Sequence, residues 1–166
     1  MKSIILSLGC NLGNRQRFIH EMEAELRIVL SPPFRISRLM ETEPVGVPDI
    51  QPWYLNRIVM AEFGDSPQEL LYFCRSIEKK LGRTKKGQLS ARTADIDILL
   101  FGDDEIRTGE MVVPHPELAK RRFCLEGLRE IAPERFIPGL NKTVNELFDE
   151  MEPSVRNQKV GFISDI

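Results

Sequence analysis

The sequence predicts an α+β fold, one sheet with helices packed on it, in the order β, α, β, β, α, β followed by a mainly helical C-terminal part. Three observations carry that expectation. Strand-like and helix-like hydrophobic periods alternate in that order as far as Phe101. Glycine, proline and helix-capping residues fall between the periodic segments. No internal repeat or low-complexity tract interrupts them, and 166 residues suffice for one domain with a buried core.

Each element follows from local patterning. In residues 3 to 8, Ile4, Leu6 and Leu8 alternate with Ser3, Ile5 and Ser7, which makes a strand ending in the glycine loop Gly9-Cys10-Asn11-Leu12-Gly13-Asn14. From 15 to 30, Phe18, Ile19, Met22, Leu26, Val29 and Leu30 recur at helical spacing until Pro32-Pro33 ends the helix. Residues 34 to 40 suit a second strand, and the proline-rich stretch 41 to 52 an ordered irregular loop. A long strand over 53 to 63 places Tyr54, Asn56, Ile58 and Met60 on one face and Leu55, Val59, Ala61 and Phe63 on the other. Ser66-Pro67-Gln68-Glu69 is an N-cap, a first-turn proline and an N3 glutamate; the helix it opens carries the stripe Leu70, Cys74, Ile77, Leu81, with Gly82 as its C-terminal stop.

A basic, loop-like stretch from 83 to 92 then leads into the apolar strand around Ile96, Ile98, Leu99, Leu100 and Phe101, closed by the turn Gly102-Asp103-Asp104. Beyond it, Val112-Val113-Pro114-His115-Pro116 precedes a helix whose Phe123, Cys124, Leu128 and Ile131 suit a core face. Thr143 and Glu146 form a capping box for a short helix with Leu147, Phe148 and Met151, and the polar tail after residue 153 is expected to be loosely held.

Composition narrows the function. Lys and Arg number 23 against 25 Asp and Glu, a net charge of -2, which argues against a nucleic-acid binder working through a strongly basic surface. A phosphate ligand would need a local cluster instead. Cys10, Cys74 and Cys124 are odd in number, far apart and without a CxxC pair, so neither a disulfide framework nor a zinc site is expected and a reducing cytoplasm fits best. The apolar run from 4 to 8 is too short for a signal core, and no run approaches the ~20 residues that span a bilayer.

Asp95 and Asp97 are the conspicuous exception to the patterning. Two residues apart on a strand, their carboxylates share a face, in a segment otherwise too apolar to be a solvated edge. Buried like charges must share a proton or bind a cation, and oxygen ligands with no histidine or cysteine beside them select a hard ion such as Mg²⁺. Mg²⁺ held by one or two carboxylates normally brings a nucleotide's phosphates as further ligands. Arg83, Lys85, Lys86, Arg92, Arg121 and Arg122 supply the complementary charge; Lys86 and Arg122, taken singly, read as solvated surface residues. His115, held between two prolines before a basic segment, suits a phosphate hydrogen bond, whereas His20 lies on the polar side of its helix.

These residues together resemble a family. Gly9-Cys10-Asn11-Leu12-Gly13 is similar to its GSNLG, Tyr54-Leu55-Asn56 to its YLN, and Arg92-Thr93-Ala94-Asp95-Ile96-Asp97-Ile98-Leu99 to its RTLDLDIL. Val113-Pro114-His115-Pro116 resembles its VPHP, and Arg121-Arg122-Phe123 its R-x-F. The family is 6-hydroxymethyl-7,8-dihydropterin pyrophosphokinase of folate biosynthesis, and the matches run in its order from residue 4 to about residue 135.

The resemblance implies a ferredoxin-like core in a three-layer α/β/α arrangement and transfer of pyrophosphate from ATP to the pterin hydroxymethyl group, releasing AMP. Asp95 and Asp97 would hold two Mg²⁺ ions, with Arg83 and Arg92 as further catalytic residues. Arg75, Arg83, Lys85, Arg92, Ile98, His115 and Arg121 would bind ATP, the co-substrate. Gly9, Thr42, Pro44, Val45, Tyr54, Asn56, Asp95 and Phe123 would form the pterin pocket, with Tyr54 and Phe123 as the aromatic pair around the ring. A cytoplasmic monomer, without nucleic-acid or membrane partners, is the corresponding expectation. The chain departs from the pattern at Leu89-Ser90-Ala91, where the family has Trp-Gly-Pro, at Arg75, where a glutamine often precedes the glutamate matched by Glu78, and at Val112, in place of a hydroxyl. A non-catalytic paralogue that binds pterin or nucleotide is the alternative those departures suggest.

Overall fold

A computed structural model describes residues 1–44, 50–82 and 94–165. Strand β1 (Lys2–Cys10) leads through the glycine loop into helix α1 (Arg15–Val29), which Asn14 opens by accepting the Arg17 N–H. The second strand of the sequence reading is two: β2 (Ser31–Ile36) and β3 (Leu39–Thr42), both antiparallel to β4 (Tyr54–Phe63). The break has a cause. Ile36 faces Val59 and Met40 faces Asn56, so one extra residue sits between them, and Ser37 spans the gap by accepting the Ile58 N–H on its hydroxyl at 2.9 Å. A proline pair therefore begins a strand here as well as following a helix.

Helix α2 (Pro67–Lys80) starts as expected, with Ser66 Oγ accepting from the Glu69 N–H, and stops at Gly82, whose φ of +98° suits glycine. Strand β5 (Asp95–Phe101) follows, then the hairpin β6 (Ile106–Arg107) and β7 (Val112–Val113), and helix α3 (Arg122–Ile131). The chain continues through β8 (Phe136–Ile137), β9 (Lys142–Thr143), α4 (Val144–Asp149), α5 (Pro153–Arg156) and β10 (Val160–Ile163).

The main sheet runs β10-β3-β4-β1-β5, with β2 also on β4 and every pairing antiparallel. With α1 and α2 its inner part is the ferredoxin-like βαββαβ unit. Ile4, Leu6, Leu8, Leu55, Val59, Ile96 and Ile98 pack with Ile19, Met22, Leu26, Leu70, Cys74 and Ile77 of α1 and α2. Ile5, Met40, Ile58, Leu99 and Leu100 pack with Cys124, Leu125, Leu128 and Val144 on the opposite face, which makes three layers. A bulge lets both Leu99 and Leu100 serve that second core: Ile98 pairs with Leu6 and Leu100 with Ile5, leaving Leu99 without an opposite residue.

The tail expected to be loosely held is instead bound. β10 extends the sheet beyond β3, Arg57 and His20 hold Asp165 at 2.6 and 2.7 Å, and the Arg38 guanidinium lies 3.8 Å from the Phe162 ring centroid. Arg122 donates to the carbonyls of Arg156 and Gln158, so its charge serves this attachment. Backbone pairing with a remote strand overrides the tail's polar composition, which carries no period that would announce it. The three cysteines are buried thiols, and burial pushes Cys10 and Cys124 up to about 12 despite the nearby Arg15 and Arg121 cations. Among the described residues no helix is long and apolar enough to cross a membrane.

Candidate functional site

Pairing register brings the polar residues of three strands together. Asp95 lies opposite Gly9, Gly9 opposite Asn56, and Asp97 opposite Ser7, next to Ile58. Side chains alternate along each strand, so Asp95, Asp97 and Asn56 rise from the face that carries α3. Asn56 is buried and its amide donates to Thr42 Oγ1 at 2.7 Å. Gly9 is required beside it, because a Cβ there would lie 2.8 Å from Asn56 Oδ1. The result is a small polar floor with one carboxylate at its edge.

The loops above that floor are fastened to one another. Asn11 donates to Gln51 Oε1 and to the Pro52 carbonyl, and Tyr54 Oη donates to the same Gln51 oxygen at 3.4 Å. Arg15 donates to the Trp53 carbonyl and pairs with Glu41 at 2.8 Å. Phe123, in the first turn of α3, is half-buried against the core that contains Ile58 and Met40. Pro44, half-buried, follows β3. Gln51 and Asn11 were not among the expected site residues; their polarity in a proline-rich loop and a glycine loop gave no long-range signal.

Asp95 and Asp97 are half-buried, less enclosed than the apolar context of the strand suggests, because β5 is the outermost strand of its side. Asp97 keeps 17 % of its side-chain surface and pairs with Arg121 at 3.5 Å. His115 completes the group: its backbone N–H donates to the Leu99 carbonyl, and its Nδ1 accepts the Glu117 N–H at 3.1 Å, leaving Nε2 to carry the ring proton. Burial lowers the His115 pKa below the usual histidine range, with Arg121 acting in the same direction and the Asp97 and Asp95 carboxylates against it. His115 is thus a neutral donor.

A cleft of about 310 Å³ opens beside this group, lined among others by Leu71, Arg75, Ile98, Met111, Val112 and His115. Arg75 from α2 and Glu110 from the β6–β7 turn face each other across it at 3.6 Å. The turn is rigid in its own right, since Thr108 Oγ1 accepts the N–H groups of both Glu110 and Met111. Sequence reading gave Arg75, Ile98 and His115 but missed this turn, whose residues have neither period nor motif.

Of the expected residues, Val45, Arg83, Lys85 and Arg92 lie outside the described residues, as does the altered Leu89-Ser90-Ala91 segment. Among the described residues no three His, Cys, Asp or Glu side chains converge as a metal cage. Two half-buried carboxylates on an edge strand nevertheless fit Mg²⁺, which takes oxygen ligands, keeps waters and shares phosphate oxygens in preference to an all-protein cage.

A sequence profile described as "7,8-dihydro-6-hydroxymethylpterin-pyrophosphokinase (HPPK)" matches residues 5–133. The chain is 38 % identical over 130 residues to the 2-amino-4-hydroxy-6-hydroxymethyldihydropteridine pyrophosphokinase of Bacillus subtilis, covering 78 % of this chain and 77 % of that one. It is 36 % identical over 150 residues to the protein of the same name from Aquifex aeolicus, covering 90 % and 92 %. In fold it resembles Plasmodium falciparum HPPK-DHPS crystallised with pteroate, with a TM-score of 0.72 and 17 % identity, over 89 % of this chain and 42 % of that longer one.

Proposed function

The chain belongs to the 7,8-dihydro-6-hydroxymethylpterin-pyrophosphokinase family, and on that premise we propose that it is an ATP-dependent pyrophosphokinase of folate biosynthesis, acting on 6-hydroxymethyl-7,8-dihydropterin. The hydroxymethyl oxygen attacks the β-phosphorus of ATP, the bond from that phosphorus to the α-phosphate oxygen breaks, AMP leaves with the electron pair, and the hydroxyl proton is released. The observation that carries this reading is the position of Asp95 and Asp97 between two groups of residues: Asp95 beside the polar group of Gly9, Asn56 and Thr42, and Asp97 in the lining of the cleft of Arg75, Ile98 and His115.

In this reading the pterin lies over the Asn56–Thr42 pair, with Tyr54 and Phe123 as its aromatic neighbours and Asp95 at its edge. ATP enters the cleft between α2 and the β6–β7 turn, where Leu71, Ile98 and Met111 offer apolar surface to the base and Arg75 a cation. His115 and Arg121 direct N–H donors at the phosphates, and Arg83, Lys85 and Arg92 add charge from the basic stretch. Asp95 and Asp97 would hold Mg²⁺, two ions in the proposal, whose chemistry is to neutralise phosphoryl oxygens and align the reacting phosphate. The protein's part is then orientation and charge stabilisation more than proton abstraction. A cytoplasmic monomer using small-molecule substrates completes the proposal.

The test is AMP release from ATP and Mg²⁺ with and without the pterin alcohol, with the product identified by mass. Pterin-dependent AMP and the pterin diphosphate are expected, together with a loss of roughly 100-fold or more in Asp95→Ala and Asp97→Ala. Pterin binding without AMP from folded protein would replace this reading with the non-catalytic alternative.

A further inference from the structure

We infer that Glu78 is a positioning residue that sets the geometry of the Asp95 and Asp97 carboxylates; the inference rests on the reaction proposed above. Glu78 sits on α2 among Leu70, Cys74 and Ile77, on the helix face turned to the sheet, and retains only 2 % of its surface. Its spacing of four from Cys74 places it on the buried stripe where an apolar residue is the ordinary choice. Its Oε2 accepts the backbone N–H of Ile96 at 2.8 Å.

Ile96 is the residue between the two aspartates. β5 is paired on one side by β1 and stands at the end of the sheet path; among the described residues no strand pairs with its outward edge, where the Ile96 N–H is received by Glu78. Burying a charge is unfavourable unless it is well hydrogen-bonded, and one of the bonds this carboxylate makes goes to the Ile96 amide. What it provides is a charge-assisted bond from a helix to the peptide group linking Asp95 to Ile96. That bond fixes the peptide plane, and with it the direction in which the neighbouring Asp95 and Asp97 side chains leave the strand. Metal-ligating carboxylates tolerate displacements of about 0.5 Å, and outer residues that hold ligands commonly change metal affinity or activity about 10–100-fold when removed.

The discriminating variants are Glu78→Met, which keeps length and suits the apolar helix face but cannot accept the hydrogen bond, and Glu78→Gln, whose amide oxygen can. Mn²⁺ affinity is measured by electron paramagnetic resonance in the presence of a non-hydrolysable ATP analogue, beside the Mg²⁺ dependence of turnover and the KM for pterin. Glu78→Met should bind Mn²⁺ about 10-fold more weakly or worse and need correspondingly more Mg²⁺, with a smaller rise in the pterin KM because Asp95 also borders the pterin, while Glu78→Gln recovers most of both losses. Folded Glu78→Met with wild-type Mn²⁺ affinity overturns the inference, as does a parallel rise in metal requirement and pterin KM that Glu78→Gln fails to rescue. If Glu78→Met does not fold, the glutamine variant decides: retained Mn²⁺ affinity with slow exchange of the Ile96 amide supports the role, and lost affinity with that amide still protected refutes it. A wild-type protein that binds Mn²⁺ and nucleotide but makes no pterin diphosphate would refute the proposed reaction and leave the Mn²⁺ comparison still informative about Glu78.

Discussion

Gly127 offers a direct way to ask whether α3 sets the height of the proposed pterin pocket. A Cβ built there would meet Ile58 Cγ1 at 2.2 Å, Ile58 Cβ at 2.8 Å and Met40 Cε at 3.3 Å. Ile58 and Met40 are fully buried in the centre of the sheet, so they have little room to turn aside. To bring the 2.2 Å contact to the 3.4 Å at which ordinary contact begins, α3 and β4 must separate by about 1.2 Å in Gly127→Ala. Overpacking of this kind costs about 1–3 kcal/mol, and the better helix propensity of alanine returns about 1, which leaves a net loss of about 0–2 kcal/mol. For a chain of this size each 1 kcal/mol lowers Tm by about 2–4 °C.

The functional consequence should exceed the stability loss. Phe123 is one turn before Gly127 on the same helix face and Arg121 immediately precedes α3, so both move with the helix. Displacements near 1 Å can cost up to about 100-fold in kcat/KM. Thermal unfolding and a fluorescence titration with pterin would be run on Gly127→Ala, Ile58→Ala and the double variant. Ile58→Ala removes the clashing Cγ1 and leaves the 2.8 Å approach to the residue-58 Cβ, so the separation needed falls to about 0.6 Å; the added methyl should cost clearly less in that background, a coupling of about 1–3 kcal/mol, and pterin affinity should partly return. Additive stabilities, or wild-type pterin affinity in the folded Gly127→Ala protein, would refute the reasoning.

Gly9→Ala should push Asn56 Oδ1 away from its 2.8 Å approach and disturb the Asn56–Thr42 bond, lowering pterin affinity about 10-fold in a binding titration while leaving the Mg²⁺ requirement unchanged. Asp165→Asn tests the bound tail through pH. Burial raises the Asp165 pKa, but the hydrogen bonds and charges of Arg57 and His20 outweigh it and hold the carboxyl below its usual value. Its contribution is therefore complete above the unfolded carboxyl range near about pH 4 and disappears as pH falls through the lower folded value. Urea melts should show the variant about 1 kcal/mol or less below wild type at pH 7, since Asp165 is nearly half exposed, with the two curves converging in stronger acid. Ser66→Ala removes the acceptor for the Glu69 N–H and should cost about 0.5–2 kcal/mol in the same melts.

What could be read from the sequence alone was what neighbouring residues decide among themselves. Ser66 and Glu69 begin a helix, and Thr143 with Glu146 begins another, because a side chain and an amide three residues apart meet in any helical turn. Asp95 and Asp97 share a face because strand side chains alternate. The motifs around Gly9, Tyr54, Asp95, His115 and Phe123 indicated the family for the same reason: they are local strings.

Tertiary structure decided everything that depends on which remote residue arrives opposite. The extra residue at Ser37 splits one expected strand into β2 and β3, and the bulge at Leu99 turns two successive leucines into one core. Strand registers such as Gly9 opposite both Asp95 and Asn56 have no counterpart in hydrophobic period. The polar tail becomes a strand because β3 has a free edge and Arg57 a carboxylate to receive, facts more than a hundred residues away in the chain. Glu78 shows the division within one residue: its place on the buried stripe is legible from spacing, but its partner, the Ile96 amide between two aspartates, exists only once α2 has packed along the outermost strand.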